Sequence, residues 1–293
     1  MGLPMAERLL HAGFDLATLV HRRREAADRL ADKGARIFSS PQEIARSVDF
    51  LITILPAVAE LKEVVFGSNG LIQGLSPGKV LIEMTTALPS TVVGIAAALA
   101  PMGVSVLDAP VSGGVTGAVG GTLTIMAGGE EAVLERCRPL LTPMGTRIVH
   151  VGGVGQGKVV KMVNQMMAAA HLLTLGEAFA LGVRCGADPA TLYEVIKDSS
   201  GYSRMMEARV PMLRAGNFTP GFKLDLMKKD VNLALDSARD MGVPMLVGSV
   251  VGQILSAASA AGNGGSDFAI AAQFLADLGG VRLSAPPAGE RPK

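Results

Sequence analysis

Lys161 and Asn164 stand three residues apart in the apolar helical pattern Lys158–Arg184, so on a helix they share one face. Burial pushes a lysine's pKa down and makes it a usable proton donor or acceptor. A lysine that snorkels along an apolar helix has the same spacing, and spacing alone leaves both readings open. Upstream, Asp108-Ala109-Pro110-Val111-Ser112-Gly113-Gly114 follows a β-rich run. Its adjacent glycines let a ligand approach the backbone, and Ser112 adds a hydroxyl donor. Backbone N–H groups in such a turn can hold a carboxylate, though an ordinary turn has the same composition. Downstream, Phe222 to Asp230 (FKLDLMKKD) gathers charge on a helical pattern. As a solvated face it would pair Asp225 with Lys229 at i,i+4.

Gly152-Gly153-Val154-Gly155-Gln156-Gly157-Lys158 comes close to the phosphate-binding P-loop. Val159 occupies the place of the hydroxyl that would hold Mg²⁺, so the glycines read better as a turn between domains. None of His11, His21, His150 and His171 is spaced for a metal, and neither Cys137 nor Cys185 has a partner at ligand spacing, so no metal site is expected. Met1-Gly2-Leu3-Pro4-Met5 opens almost directly in a helix, whereas a doubly wound dinucleotide domain begins with a strand and Gly-x-Gly-x-x-Gly. Asp15–Val20 then takes the second-strand position and runs into His21-Arg22-Arg23-Arg24. An arginine there accommodates a ribose 2′-phosphate, the alternative being a solvated basic helix start.

The elements that position these residues divide the chain in two. Up to about residue 153, β-rich runs at 15–20, 35–38, 50–55, 80–84, 104–107, 123–127 and 147–151 alternate with helical patterns. That alternation predicts βαβ units and a parallel sheet with helices on both faces. Residues 50–55 read FLITIL, the continuous apolar run of a central parallel strand. Ser40-Pro41-Gln42-Glu43 has the form of a capping box, and Asp188-Pro189 and Thr219-Pro220 read as helix starts. After residue 153 only helical patterns remain, so 154–283 is expected to be all-helical, and the Pro-rich tail 284–293 disordered.

Composition removes several function classes. Lys+Arg number 27 and Asp+Glu 26, so no basic surplus points to nucleic acid. Two cysteines exclude a disulfide scaffold and point to a reducing compartment, the cytoplasm. The apolar stretch 159–183 contains Lys161, Asn164, Gln165, His171 and Glu177, whose burial in a bilayer is unfavourable; a buried helix is the better reading. The uncharged stretch 242–262 reads as a buried or subunit-facing helix, so no membrane partner is expected.

Taken in order, these motifs resemble the β-hydroxyacid dehydrogenase family, over residues 1 to about 280. Asp108–Gly114 matches its D-A-P-V-S-G-G, Gly155–Gln165 its G-x-G-x-x-x-K-x-x-N-Q, and Phe222–Asp230 its F-x-L-D-L-M-x-K-D. Met1–Met5 matches the end of its opening glycine-rich motif, with Gly2 as the third glycine. The resemblance implies a Rossmann-like α/β domain at 1–153 and an all-α substrate and dimerisation domain at 154–283. It implies an NAD(P)-dependent oxidoreductase, NADP preferred, that interconverts a short β-hydroxy acid and its semialdehyde in a cleft between the domains. Lys161 would be the catalytic acid–base. Ser112, Gly113, Gly114, Asn164, Lys229 and Asp230 would hold substrate. Met1, Gly2, Arg22, Leu55, Pro56, Thr86 and Lys229 would hold the cofactor. The apolar C-terminal helical patterns suggest a homodimer or homotetramer.

An NAD-dependent 3-hydroxyisobutyrate dehydrogenase is the alternative within the class; imine reduction on the same fold is disfavoured by Lys161. Where this chain departs from the family, the opening strand and first two glycines are absent. That implies weak NADP binding, explained by a start about ten residues further upstream or by a catalytically inactive scaffold.

Overall fold

The computed structural model describes residues 1–20 and 24–284. The expectations for Arg22 and for the tail beyond Ser284 lie outside the described residues. The chain divides into two compact units, Met1–Lys161 and Met162–Lys293.

In the first unit the order is α1 (Gly2–His11), β1 (Ala17–Leu19), α2 (Glu25–Ala31), β2 (Arg36–Phe38), α3 (Pro41–Ser47), β3 (Phe50–Thr53), α4 (Val58–Phe66), β4 (Val80–Glu83), α5 (Pro89–Leu99), β5 (Ser105–Asp108), β6 (Val111–Ser112), α6 (Gly114–Gly120), β7 (Thr124–Gly128), α7 (Glu131–Leu141) and β8 (Arg147–Gly152). The long α8 (Gln156–Arg184) follows. Strands β3, β4 and β5 pair in parallel, with Phe50 opposite Val80 and Val80 opposite Ser105.

Residues on β4 alternate between two cores. Val80 and Ile82 pack with Met5 of α1 and Leu134 of α7. Leu81 packs with Leu61 of α4 and Ile95 of α5. Helices therefore cover both faces, which is why these strands read as mainly apolar runs rather than alternating ones. Leu81 and Ile82 are wholly buried, and each such side chain stabilises the fold by about 2 kcal/mol.

Three local features depart from the sequence pattern. Strand β7 runs antiparallel to β5 and β6 and parallel to β8, so the sheet is mixed. A parallel return needs a long crossover; here β6 and the short α6 turn the chain straight back. Helix α4 (VAELKEVVF) was not anticipated; of its apolar residues only Leu61 and Val65 are buried. Strands β1 and β2 pair only with each other. In a doubly wound sheet the first strand joins the second to the fourth, and no strand stands between β1 and β3 among the described residues.

The capping expectations are met in part. Ser40 Oγ accepts the Glu43 N–H at 3.2 Å, but the Glu43 carboxylate takes the Ser39 N–H and hydroxyl instead of closing the box on Ser40. Asp188 caps its helix by accepting the Thr191 N–H at 2.9 Å. Thr219-Pro220 starts no helix: Asn217 Oδ1 accepts the Thr219 N–H and hydroxyl, a local turn that delays the next helix to Leu224.

The second unit contains most of α8, then α9 (Pro189–Ile196), α10 (Arg204–Ala215), α11 (Leu224–Asp240), α12 (Leu246–Ala258) and α13 (Ile270–Leu278). Helix α8 is the one described helix long and apolar enough to cross a membrane by length and composition. Its Leu172, Leu173 and Phe179 are buried in a core shared with α10, α11, α12 and α13. Cys185 is exposed and Cys137 buried, neither in a disulfide. Burial pushes the Cys137 thiol up to about 12, the behaviour of inert core filler.

Candidate active site

The C-terminal ends of β3, β4 and β5 lie along one edge of the sheet, the edge at which open α/β sheets bind ligands. Leu55 and Pro56 follow β3, and the Leu55 N–H donates to Thr85 Oγ1 at 3.1 Å. Thr86 follows β4. Gly2 lies at the same edge, since a Cβ on it would come within 3.3 Å of Ile54. The start of α1 has neither a side-chain cap nor an acidic residue in its first turn. Its free N–H groups suit an anionic pyrophosphate, so the residues present fit the phosphate-bearing part of a dinucleotide.

Beyond β5 comes the serine–diglycine turn. Ser112 ends β6 and is partly buried; Gly113 and Gly114 are exposed. Gly113 has φ +134° and Gly114 φ +64°. Such backbone suits glycine, and it leaves two N–H groups with no side chain over them.

Asp108, the wholly buried last residue of β5, binds the start of α8. Its Oδ1 accepts the Gly155 N–H at 2.8 Å and its Oδ2 the Lys158 N–H at 3.0 Å. Burial pushes the Asp108 carboxyl above its ordinary value, while the Gly155 amide, the Lys158 charge and the Lys158 amide pull it back. Lys158 Nζ is 2.5 Å from Glu83 Oε2 with both side chains wholly buried. The P-loop likeness therefore fails structurally: Asp108 occupies two of the turn amides, and the lysine is committed to a carboxylate. One turn further on, Lys161 is buried at 8% exposure.

In the second unit, Asn164 Nδ2 donates to Gln165 Oε1 at 3.2 Å, and Gln165 Nε2 donates to Asp230 Oδ2 at 2.8 Å. Lys229 Nζ lies 3.0 Å from Asp230 Oδ1. The structure thus joins Asn164, Asp230 and Lys229 through Gln165, which ties α8 to α11. The expected Asp225–Lys229 pair does not form. Asp225 pairs with Lys228 at 3.1 Å and accepts the Ser259 hydroxyl, because Lys229 lies beside buried Asp230.

Glu83, Lys158 and Gln165 were assigned no role from sequence. Glu83 gives one signal, an acid closing the otherwise apolar strand Val80–Glu83. Lys158 gives another, a second lysine on the face of Lys161. No group of three or more metal-binding side chains occurs among the described residues.

Residues 1–152 match the NAD binding domain of 6-phosphogluconate dehydrogenase, and residues 155–275 the NAD-binding domain of NADP-dependent 3-hydroxyisobutyrate dehydrogenase. The chain belongs to the β-hydroxyacid dehydrogenase family. It is an NAD(P)-dependent oxidoreductase of hydroxy acids. Among β-hydroxyacid dehydrogenases it is 36% identical to the 2-(hydroxymethyl)glutarate dehydrogenase of Eubacterium barkeri, over 97% of this chain and 94% of that one. It is also 36% identical to human mitochondrial 3-hydroxyisobutyrate dehydrogenase, over 94% of this chain and 84% of the other. The solved 3-hydroxyisobutyrate dehydrogenase of Mycobacterium tuberculosis, determined with L-serine, superposes with TM-score 0.84 at 31% identity, covering 94% of this chain and 95% of that one. Imine reductases share the fold at 18–19% identity.

Proposed function

We propose that this dehydrogenase interconverts a short β-hydroxy acid and its semialdehyde, NADP preferred, with Lys161 as acid–base. The observation that carries the reading is a buried lysine one turn beyond a helix start fixed to Asp108, four residues before Ser112. When bound, the nicotinamide supplies or accepts the hydride. Lys161 Nζ gives its proton to the carbonyl oxygen as that oxygen becomes a hydroxyl, and takes it back in the oxidation. Its positive charge also stabilises the developing alkoxide. Ser112 Oγ and the Gly113 and Gly114 N–H groups hold the substrate carboxylate, and Asn164 holds the hydroxyl. Fixing the carboxylate orients the reacting carbon, which supplies part of the rate.

Met1 and Gly2 would hold the pyrophosphate, Leu55 and Pro56 the adenosine half, and Thr86 the nicotinamide side. Lys229 and Asp230 are assigned contacts with substrate, and Lys229 also with cofactor. The NADP preference is supported by Arg22 in the sequence and by the NADP-dependent family that residues 155–275 match. Nicotinamide absorbance over 3-hydroxyisobutyrate, 2-(hydroxymethyl)glutarate, L-threonate and L-serine, each with NADP and with NAD, tests this reading. Turnover of at least one, faster with NADP, is the expected result; turnover with NAD alone removes the cofactor preference, and none with either removes the substrate class.

The enzyme is further proposed to be a cytoplasmic homodimer or homotetramer. Leu246, Val247 and Val250 of α12 are 82%, 67% and 55% exposed, an apolar face suited to a second copy. Light scattering on the eluting protein should give two or four chains; one chain would reject the assembly.

A further inference from the structure

The ends of β4 and β5 carry a buried ionic arrangement that proton transfer does not use. Glu83 Oε1 accepts the Thr85 N–H at 2.7 Å, and Oε2 lies 2.5 Å from Lys158 Nζ. The same ammonium donates to the Glu83 carbonyl at 2.8 Å. Lys158 is thus held twice by one residue, by its side chain and by its backbone. Two residues of β5 and β7 meet the preceding position: a Cβ on Gly157 would come within 2.4 Å of Met126 O and 2.5 Å of Asp108 Oδ2. The first turn of α8 therefore rests directly on the strand ends.

Stability alone does not account for this chemistry. Desolvating two charges is costly, and an apolar pair of similar volume holds layers together as well or better. An ion pair differs in being directional. A helix resting on methyl groups can rotate or slide by a fraction of a turn; one whose lysine must satisfy a carboxylate and a carbonyl of the same strand residue has a single register. Lys158 and Lys161 are three apart on α8, so fixing the first fixes the face and height of the second.

We propose that Glu83 and Lys158 are positioning residues. Their pair sets the rotation and height of α8 over β4 and β5, and so the place of Lys161 Nζ relative to the Ser112–Gly114 turn, which follows β5 through the two-residue β6. The proposal rests on the reading of Lys161 as acid–base.

The test uses the full chain and the double variant Glu83→Leu/Lys158→Met, which removes both charges of the pair together and leaves Asp108 its two amide donors. Its melting temperature should stay within several degrees of the parent's, the relief of desolvation offsetting the charge lost beside Asp108. In the cofactor-free protein, amides 159–164 should exchange hydrogen at least ~10-fold faster. With 3-hydroxyisobutyrate and NADP, kcat should fall about 100-fold with KM nearly unchanged, the signature of a displaced reacting group. Glu83→Asp, which retains a carboxylate for Lys158, should recover much of that loss.

Parental kcat and parental exchange in the double variant would overturn the proposal and leave the pair a stabilising contact only. Should that variant fail to fold, Gly157→Ala asks the same question with every charge in place. It lifts the first turn off Met126 and Asp108 and should lose kcat similarly; parental kcat there overturns the proposal too. Undiminished turnover in Lys161→Ala would remove the acid–base reading while leaving the exchange result intact, so the two failures are distinguishable.

Discussion

Lys161→Ala should bind NADP as the parent does and lose turnover by about 10³- to 10⁴-fold. Two separate losses combine in that number. The proton donor is gone, and water must protonate the alkoxide from a less favourable position. The positive charge beside the developing oxyanion is gone as well, in a place where burial strengthens every Coulombic interaction. Cofactor affinity is spared because none of the residues proposed for the dinucleotide, Met1, Gly2, Arg22, Leu55, Pro56, Thr86 and Lys229, belongs to α8. Fluorescence titration with NADPH and steady-state kinetics on one preparation separate the two. Lys161→Arg should remain within about tenfold of the alanine variant, since guanidinium keeps the charge but does not release its proton in this pH range. Full activity in the arginine variant would show that charge, not proton transfer, is what position 161 supplies.

The sequence was informative wherever chemistry and periodicity coincide locally. Residues 50–55, interrupted only by Thr53, and residues 80–82 are apolar because helices cover both faces of the sheet, and that signal needs no partner to be read. The serine–diglycine turn, the Lys161–Asn164 spacing and the charged start of α11 are each contained within a few residues. What was illegible depends on distance along the chain. Lys158 reads as the lysine of a phosphate loop because its true partner, Glu83, is 75 residues away. Lys229 reads as the i,i+4 partner of Asp225 because helical spacing cannot show that Asp230 is buried and anchored by Gln165 on another helix. The antiparallel β7 was hidden for a related reason: strand direction is set by the length and path of a connection, and β6 has only two residues while α6, GVTGAVG, has the glycine content of a loop. Helix α4 went unread although Leu61, Val64 and Val65 stand at helical spacing in VAELKEVVF.

The second large effect is expected at the turn proposed to hold the carboxylate. Gly113→Ala should raise KM for the hydroxy acid more than about 100-fold while NADP affinity holds. Gly113 has φ +134° and ψ −7°, a conformation with no favourable region for an L-residue. Holding an alanine there costs on the order of 1–3 kcal/mol, and its Cβ would meet Leu123 Cδ2 at 3.1 Å. Leu123 is wholly buried in the sheet core, so it has little room to yield. The backbone relieves both strains by rotating, and rotation turns the Gly113 and Gly114 N–H groups away from the carboxylate they are proposed to bind. A carboxylate left with two fewer charge-assisted hydrogen bonds, each of about 1.5–3 kcal/mol, binds several hundredfold or more weakly. Ser112→Ala is the milder companion: it removes one donor without moving the backbone and should raise KM about tenfold. Gly113→Ala with parental KM would place the carboxylate somewhere other than this turn. A loss in both variants that appeared in kcat with KM unchanged would mean instead that the turn acts on the transition state and not on the bound acid.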